Sequence, residues 1–168
     1  MARLFFAFVP DRPNRESVAS WRDTCDFGPA ARPVPADNFH VTLCFLGESP
    51  PDAIERLRSA AAAVPFAAGH IELRALEVWA HGVAVLRAEA SPELVDLHAR
   101  LESATAPFAK APETRPWKPH LTLARHARAN ASTITSATPP LGGWEVWRFG
   151  LFESRAGRYR EVASFSAN

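Results

Sequence analysis

The pattern His-x-Thr-x occurs twice, as His40 to Leu43 within NFHVTLCFLG and as His120 to Leu123 within PHLTLAR, 80 residues apart from His40 to His120. Both copies lie on short runs in which apolar residues alternate with others, the period of a β-strand. Because successive side chains on a strand point to opposite faces, Val41, Leu43 and Phe45 fall on one face and His40, Thr42 and Cys44 on the other. In the second copy His120 and Thr122 share a face opposite Leu121 and Leu123. A fold for this chain must therefore bury two apolar strand faces and carry two His/Thr pairs on the reverse side. One such pattern arises readily by chance; its return in a matching context does not.

The remaining segments read as a mixture of strands and helices. ARLFFAFVP is apolar on both faces from Leu4 to Val9, which predicts a central strand. Asp11 and Pro13 are helix-start residues, and Val18 with Trp21 to Cys25 gives the next helix an apolar side that ends at Phe27-Gly28-Pro29. A second helix begins after Ser49 with Ile54, Leu57, Ala61 and Val64 as its stripe. A third begins at Ser91 and Pro92 with Leu94, Leu97, Leu101, Ala104 and Phe108 inward. HIELRALEVW and GVAVLRAEA form a predicted hairpin around His81 and Gly82, and WEVWRFGLFESR with RYREVASFS a second around Gly157. Each motif strand is followed by a hairpin, which points to two similar lobes with one motif apiece. The stretch from Ala129 to Gly143 reads as a loop.

Composition restricts the partners. At 168 residues the chain has the length of one domain, spanning 1–168, and 19 basic against 18 acidic residues give no general field for holding long nucleic acid by its backbone. No uninterrupted apolar window reaches the roughly 18 residues of a spanning helix, and the apolar run at Leu4 to Val9 is too short for a signal-peptide core. The expectation is a cytoplasmic protein with no membrane association and no obligate protein partner. Cys25 and Cys44 make no disulfide framework, and the absence of CxxC and HExxH gives no reason to expect a metal or another cofactor.

Two imidazoles and two hydroxyls facing a common groove suit displacement at phosphorus. In-line attack needs a base for the incoming oxygen and an acid for the leaving oxygen on the opposite side of the phosphate. Imidazole serves both tasks near neutrality, and threonine hydroxyls can donate hydrogen bonds to the non-bridging oxygens. Cys44 has no counterpart in the second motif and reads as a small residue on the groove floor rather than a nucleophile. Arg115, Trp117 and Lys118 precede the second motif and are candidates for a substrate rim, where a ring stacks on a base and the cations attract phosphate. His70, His81, His98 and His126 have no repeated partner and read as packing or surface residues, with His126 of interest only because it follows Arg125.

In these residues the sequence resembles the 2H phosphoesterase superfamily. Within it the chain is similar to the RNA 2′,3′-cyclic phosphodiesterases, formerly called 2′-5′ RNA ligases or LigT-like proteins. RLFFAFVP, RPVPADNFHVTLCFLGE, LEVW with its hairpin, RPWKPHLTLAR and GLFES with GRYREV follow that family's order over nearly the whole chain. The resemblance implies an α+β fold of two pseudo-symmetric lobes, with antiparallel sheets flanking a central cleft and helices on the outside. It implies metal-independent hydrolysis of a 2′,3′-cyclic phosphate, on RNA ends or small cyclic nucleotides, to a 2′-phosphomonoester. His40 matches the family's proton donor, His120 its proton acceptor, Thr42 and Thr122 its phosphate-holding residues, and Arg125 an arginine near the phosphate. Strict alternation puts Arg125 on the face opposite His120, so that role requires a bulge or the strand's end. Two other readings remain open: reversible 2′-5′ joining of RNA ends by the same groups, and a non-catalytic module that binds RNA ends or nucleotides.

Overall fold

A computed structural model describes residues 2–50, 52–109, 115–128 and 142–168. Its strands are β1 (Ala2–Phe8), β2 (Arg32–Pro33), β3 (Val41–Ser49), β4 (Gly69–Trp79), β5 (Val83–Ala90), β6 (His120–Arg125), β7 (Gly143–Val146), β8 (Arg148–Arg155) and β9 (Arg158–Ser166). Its helices are α1 (Arg12–Arg22), α2 (Ala53–Ala62) and α3 (Pro92–Thr105). Among the described residues no helix is long and apolar enough to cross a membrane.

The strands form one curled antiparallel sheet in the order β7-β4-β5-β6-β3-β1-β8-β9, with β2 added alongside β6. The order divides into two four-stranded halves, each with a motif strand at its inner edge. The halves meet where Val41 on β3 pairs with Leu121 on β6, the one paired position found between those strands among the described residues. Beyond it the strands part and leave a cleft between the halves. The fold is thus the α+β pair of pseudo-symmetric lobes implied by the resemblance, with both lobes drawn into one continuous sheet.

The hairpins are assigned crosswise to the sequence reading. The β4–β5 hairpin follows the first motif but pairs with β6, and the β8–β9 hairpin follows the second motif but joins β1 beside β3. The reason lies in the edges: β1 and β6 occupy the two sides of β3, so the hairpins add at the edges beyond them, β4–β5 beyond β6 and β8–β9 beyond β1. WEVWRFGLFESR is likewise two strands. Gly143–Val146 pairs with β4 in one lobe, Arg148–Arg155 pairs with β1 in the other, and Trp147, 60% exposed, marks the crossing. The predicted loop from Ala129 lies outside the described residues as far as 141.

One face of the sheet carries the core. Leu4, Phe6, Phe8, Val41, Leu43, Leu86, Leu121 and Leu123 are fully buried there against the helices. Asp11 caps α1 by accepting from the Asn14 backbone N–H at 2.9 Å, and Pro13 sits in the first turn, where no backbone donor is needed. The cap of α2 is Asp52 rather than Ser49, which still belongs to β3; Leu57 and Ala61 are its buried stripe. On α3, Leu94, Leu97 and Leu101 are wholly buried, each worth about 1.5–3 kcal/mol of apolar transfer, while Ala104 is half-buried, as is Phe108 in the short turn beyond the helix. The helices therefore leave the opposite face of the sheet, the His/Thr face, to the cleft.

Candidate active site

His40 immediately precedes β3 and His120 opens β6, so the two imidazoles enter the cleft from equivalent places in the two halves. Each is fixed in the same way. The Nδ1–H of His40 donates to the Asn38 carbonyl at 2.7 Å, and the Nδ1–H of His120 to the Lys118 carbonyl at 2.7 Å. A carbonyl only accepts, so Nδ1 carries the hydrogen in both rings and Nε2 is the atom left for other partners. Asn38 is itself anchored, since its side-chain amide donates to the Gly157 carbonyl in the β8–β9 turn at 2.9 Å.

Antiparallel pairing centred on Val41 and Leu121 sets the arrangement of the four motif residues. One step to either side, His40 faces toward Thr122 and Thr42 toward His120, all on the face away from the core. The register thus crosses the two His/Thr pairs, setting His40 opposite Thr122 and Thr42 opposite His120 across the cleft. Rings wall in both imidazoles. His40 lies 5.0 Å from Phe5 and 5.2 Å, edge-on, from Tyr159, and His120 lies 4.5 Å from Trp79, as measured between ring centroids. Burial pushes the pKa of His40 below the ordinary imidazole value, and the positive charges of His120 and Arg125 add to the effect. Burial likewise lowers His120. In each ring the carbonyl bond opposes the shift without cancelling it.

A bulge in each motif strand redirects the residues past the threonine. On β3, Ala7 pairs with Thr42 and Phe6 with Cys44, so Leu43 is the extra residue; on β6, Val85 pairs with Thr122 and Ala84 with Ala124, so Leu123 is. Two consecutive residues then face the core, and the one after returns to the cleft. Arg125 is accordingly exposed on the face of His120, as its expected role requires. Cys44 and Phe45 depart from simple alternation. Cys44 turns away from the His40 face and packs, 8% exposed, toward His98, while Phe45 leaves the core face and is 55% exposed. Burial, assisted by Glu102, pushes the Cys44 thiol up to about 12.

Two cavities open from the dyad. One, of about 560 Å³, is lined on the His120 side by Thr42, Phe45, Trp79, Trp117 and His120, with Arg115 and Lys118 also bordering it. The other, of about 620 Å³, is bordered on the His40 side by Phe5, Asn38, His40, Phe152 and Tyr159. All three rim candidates therefore border the cavity of the second motif. His126 is exposed and left-handed (φ 56°) in the turn after β6. Sequence reasoning missed the ring walls and Phe45. Trp79 carried a signal as the last residue of an alternating strand, whereas Phe5 and Tyr159 reach His40 only through the pairing of β1, β8 and β9. Among the described residues no group of three or more His, Cys, Asp or Glu side chains is placed to hold a metal ion.

This fold and paired-histidine cleft define a class. The model of the 2′-5′ RNA ligase superfamily matches residues 9–158. The chain is 33% identical over 162 residues to the RNA 2′,3′-cyclic phosphodiesterase of Escherichia coli (strain K12), covering 94% of this chain and 90% of that one. The crystal structure of E. coli LigT in apo form superposes with a TM-score of 0.82 at 29% identity, covering 99% of this chain and 97% of that one. E. coli LigT complexed with 3′-AMP superposes with a TM-score of 0.80 at 30% identity, covering 99% and 98%. The chain belongs to the 2′-5′ RNA ligase superfamily and, within it, to the RNA 2′,3′-cyclic phosphodiesterases.

Proposed function

We propose that this protein hydrolyses ribonucleotide 2′,3′-cyclic phosphates, at RNA ends or in small cyclic nucleotides, to 2′-phosphomonoesters, with His40 as acid and His120 as base. The observation that carries the reading is the crossed pair of imidazoles, both holding Nδ1–H on a backbone carbonyl two residues earlier and both keeping Nε2 for the substrate. Kinship with a named RNA 2′,3′-cyclic phosphodiesterase supports the substrate class, and a LigT structure with 3′-AMP supports a nucleotide ligand.

The reaction balances with these groups alone. A water oxygen attacks phosphorus as His120 Nε2 takes its proton. The bond from phosphorus to O3′ breaks on the opposite side, and His40 Nε2–H protonates that oxygen. The product keeps its phosphate on O2′ and gains a 3′ hydroxyl. Thr42 and Thr122 donate hydrogen bonds to the non-bridging oxygens, and Arg125 places positive charge on the His40 flank. Arg115, Trp117 and Lys118 form the rim of the His120 cavity and receive the adjoining RNA. Burial favours neutral imidazoles; a bound phosphate anion offsets that penalty and lets His40 carry the proton it must give. The two free cysteines fit action in the cytoplasm.

The cavity beside His120 supports a second reading. It lies on the side from which water attacks, and a nucleoside 5′ hydroxyl placed there would form a 2′-5′ linkage with the same acid and base. Phosphorus NMR of 2′,3′-cyclic AMP incubated with the protein in EDTA tests the first reading: a 2′-phosphate product is expected. No turnover of any cyclic mononucleotide or of a short cyclic-ended RNA would overturn it. Accumulation of joined product at high RNA concentration is the outcome that favours the second.

A further inference from the structure

The carbonyl of the bulge residue is satisfied in both motif strands, by different means. On β6 the Leu123 carbonyl accepts from the Val34 backbone N–H at 2.8 Å, where the chain beside β2 runs along the strand. On β3 the equivalent Leu43 carbonyl accepts from a side chain, the Nδ1–H of His98 on α3, at 2.8 Å. One residue earlier the Thr42 carbonyl accepts from the indole N–H of Trp117 at 2.9 Å. The two donors brace each other: the His98 and Trp117 rings stack with centroids 4.5 Å apart and planes 17° from parallel. His98 lies next to Leu97, wholly buried on α3, and its Nε2 is 3.8 Å from the Glu102 carboxylate one turn on. Trp117 sits three residues before His120.

Both carbonyls lie where β3 has parted from β6 and the ladder between the strands has ended. A bulge without fixed partners leaves the direction of its neighbouring side chains loose, and Thr42 is the neighbour that faces the cleft. We propose that Trp117 and His98 are positioning residues for Thr42: the stacked pair replaces the missing ladder and holds the hydroxyl at the place where phosphate binds. Trp117 also links the two motifs, since it fixes the threonine of the first from the segment that leads into the histidine of the second. The inference rests on the phosphoesterase reading, and its test separates the two.

The variants are Trp117→Phe, which keeps the ring and removes the donor, and His98→Asn, each made alone and in Thr42→Val and Thr122→Val backgrounds. Two quantities are read: kcat for 2′,3′-cyclic AMP and the affinity for inorganic phosphate by calorimetry. Each single variant is expected to lower kcat about tenfold and weaken phosphate about fivefold, the scale of one lost hydrogen bond to a placed group. In Thr42→Val the same substitutions are expected to have less than about a twofold further effect, because the group they act through is gone, whereas in Thr122→Val the losses persist in full. Losses that multiply in both backgrounds, or no loss in the singles, would overturn the proposal. So would loss of the folded near-ultraviolet signature in both variants, which would assign the stack to stability alone. Coupled losses in phosphate affinity from a protein with no turnover would uphold the positioning and remove the phosphoesterase reading. A wild-type protein that neither turns over substrate nor binds phosphate would end both.

Discussion

Phe45 and Arg125 occupy equivalent positions: each is the third residue past its motif threonine, and each is returned to the cleft face by a bulge at the leucine in between. The two motif strands are antiparallel, so Arg125 lies toward the His40 end and Phe45 toward the His120 end. The cleft therefore has a cationic flank and an aromatic flank although its two imidazoles are nearly symmetric. Replacing Arg125 by Met should lower kcat/KM about 10²- to 10³-fold, the range for removing one charge-stabilising donor. It should also raise the pKa of His40, because the Arg125 charge is one of the causes that lowers it. An NMR titration of the His40 ring checks the second effect independently of activity, and an unchanged or lower value would place Arg125 away from the dyad.

The two histidines act as a unit in the proposed reaction, and units of this kind lose activity non-additively. His40→Ala and His120→Ala should each reduce kcat about 10²- to 10⁴-fold, and the double variant should fall little below the weaker of the two. Steady-state kinetics on a cyclic mononucleotide gives the comparison. Losses that multiply would mean that the two rings contribute separately, as two binding contacts would, and not as acid and base in one step.

Much of this site is legible in the sequence alone, for a local reason. Alternation places His40 beside Thr42 and His120 beside Thr122 whatever the partner strands do, and Asp11, Pro13 and the α3 leucines act within single segments. Pairing across the chain was not legible. A bulge leaves no mark on a period-two pattern, so HVTLCF read as unbroken alternation and put Cys44 and Phe45 on the wrong faces. The crosswise hairpins depend on which strand edges are already taken. The Trp117–His98 stack joins residues of α3 and the segment before β6 that meet only after the sheet has curled.

Cys44 borders the cleft without facing it, and its chemistry reflects that placement. Its thiol is buried, and its pKa is pushed up to about 12, so almost none is thiolate at neutral pH. Cys25 is also raised by burial but is half-exposed. A thiol reagent under native conditions should label Cys25 well before Cys44, and Cys44→Ala should keep kcat within about threefold of wild type while costing some stability, about 1 kcal/mol, through lost packing. Mass spectrometry of the labelled peptides decides the first point. Rapid labelling of Cys44, or abolished activity in Cys44→Ala with the fold intact, would return the residue to the reaction.

The dependence of rate on pH tests the histidine pair most directly. In the free protein both imidazoles titrate below the ordinary value of about 6.5, His40 through burial and then the charges of His120 and Arg125, His120 through burial. The profile of kcat/KM reports the free protein. Its acid limb appears as the base takes up a proton and its alkaline limb as the acid loses one. With both pKa values lowered, the maximum should lie below pH 6.5 and the rate should already be falling through neutrality. Bound substrate adds a phosphate anion beside both rings and raises both pKa values, so the profile of kcat, which reports the complex, should be displaced to higher pH. Arg125→Met should move the kcat/KM limb that belongs to His40 upward as well, since a neighbouring positive charge has been removed. A kcat/KM maximum above pH 7.5, or a profile with only one limb, would contradict the assignment of a buried acid and a buried base to these two residues.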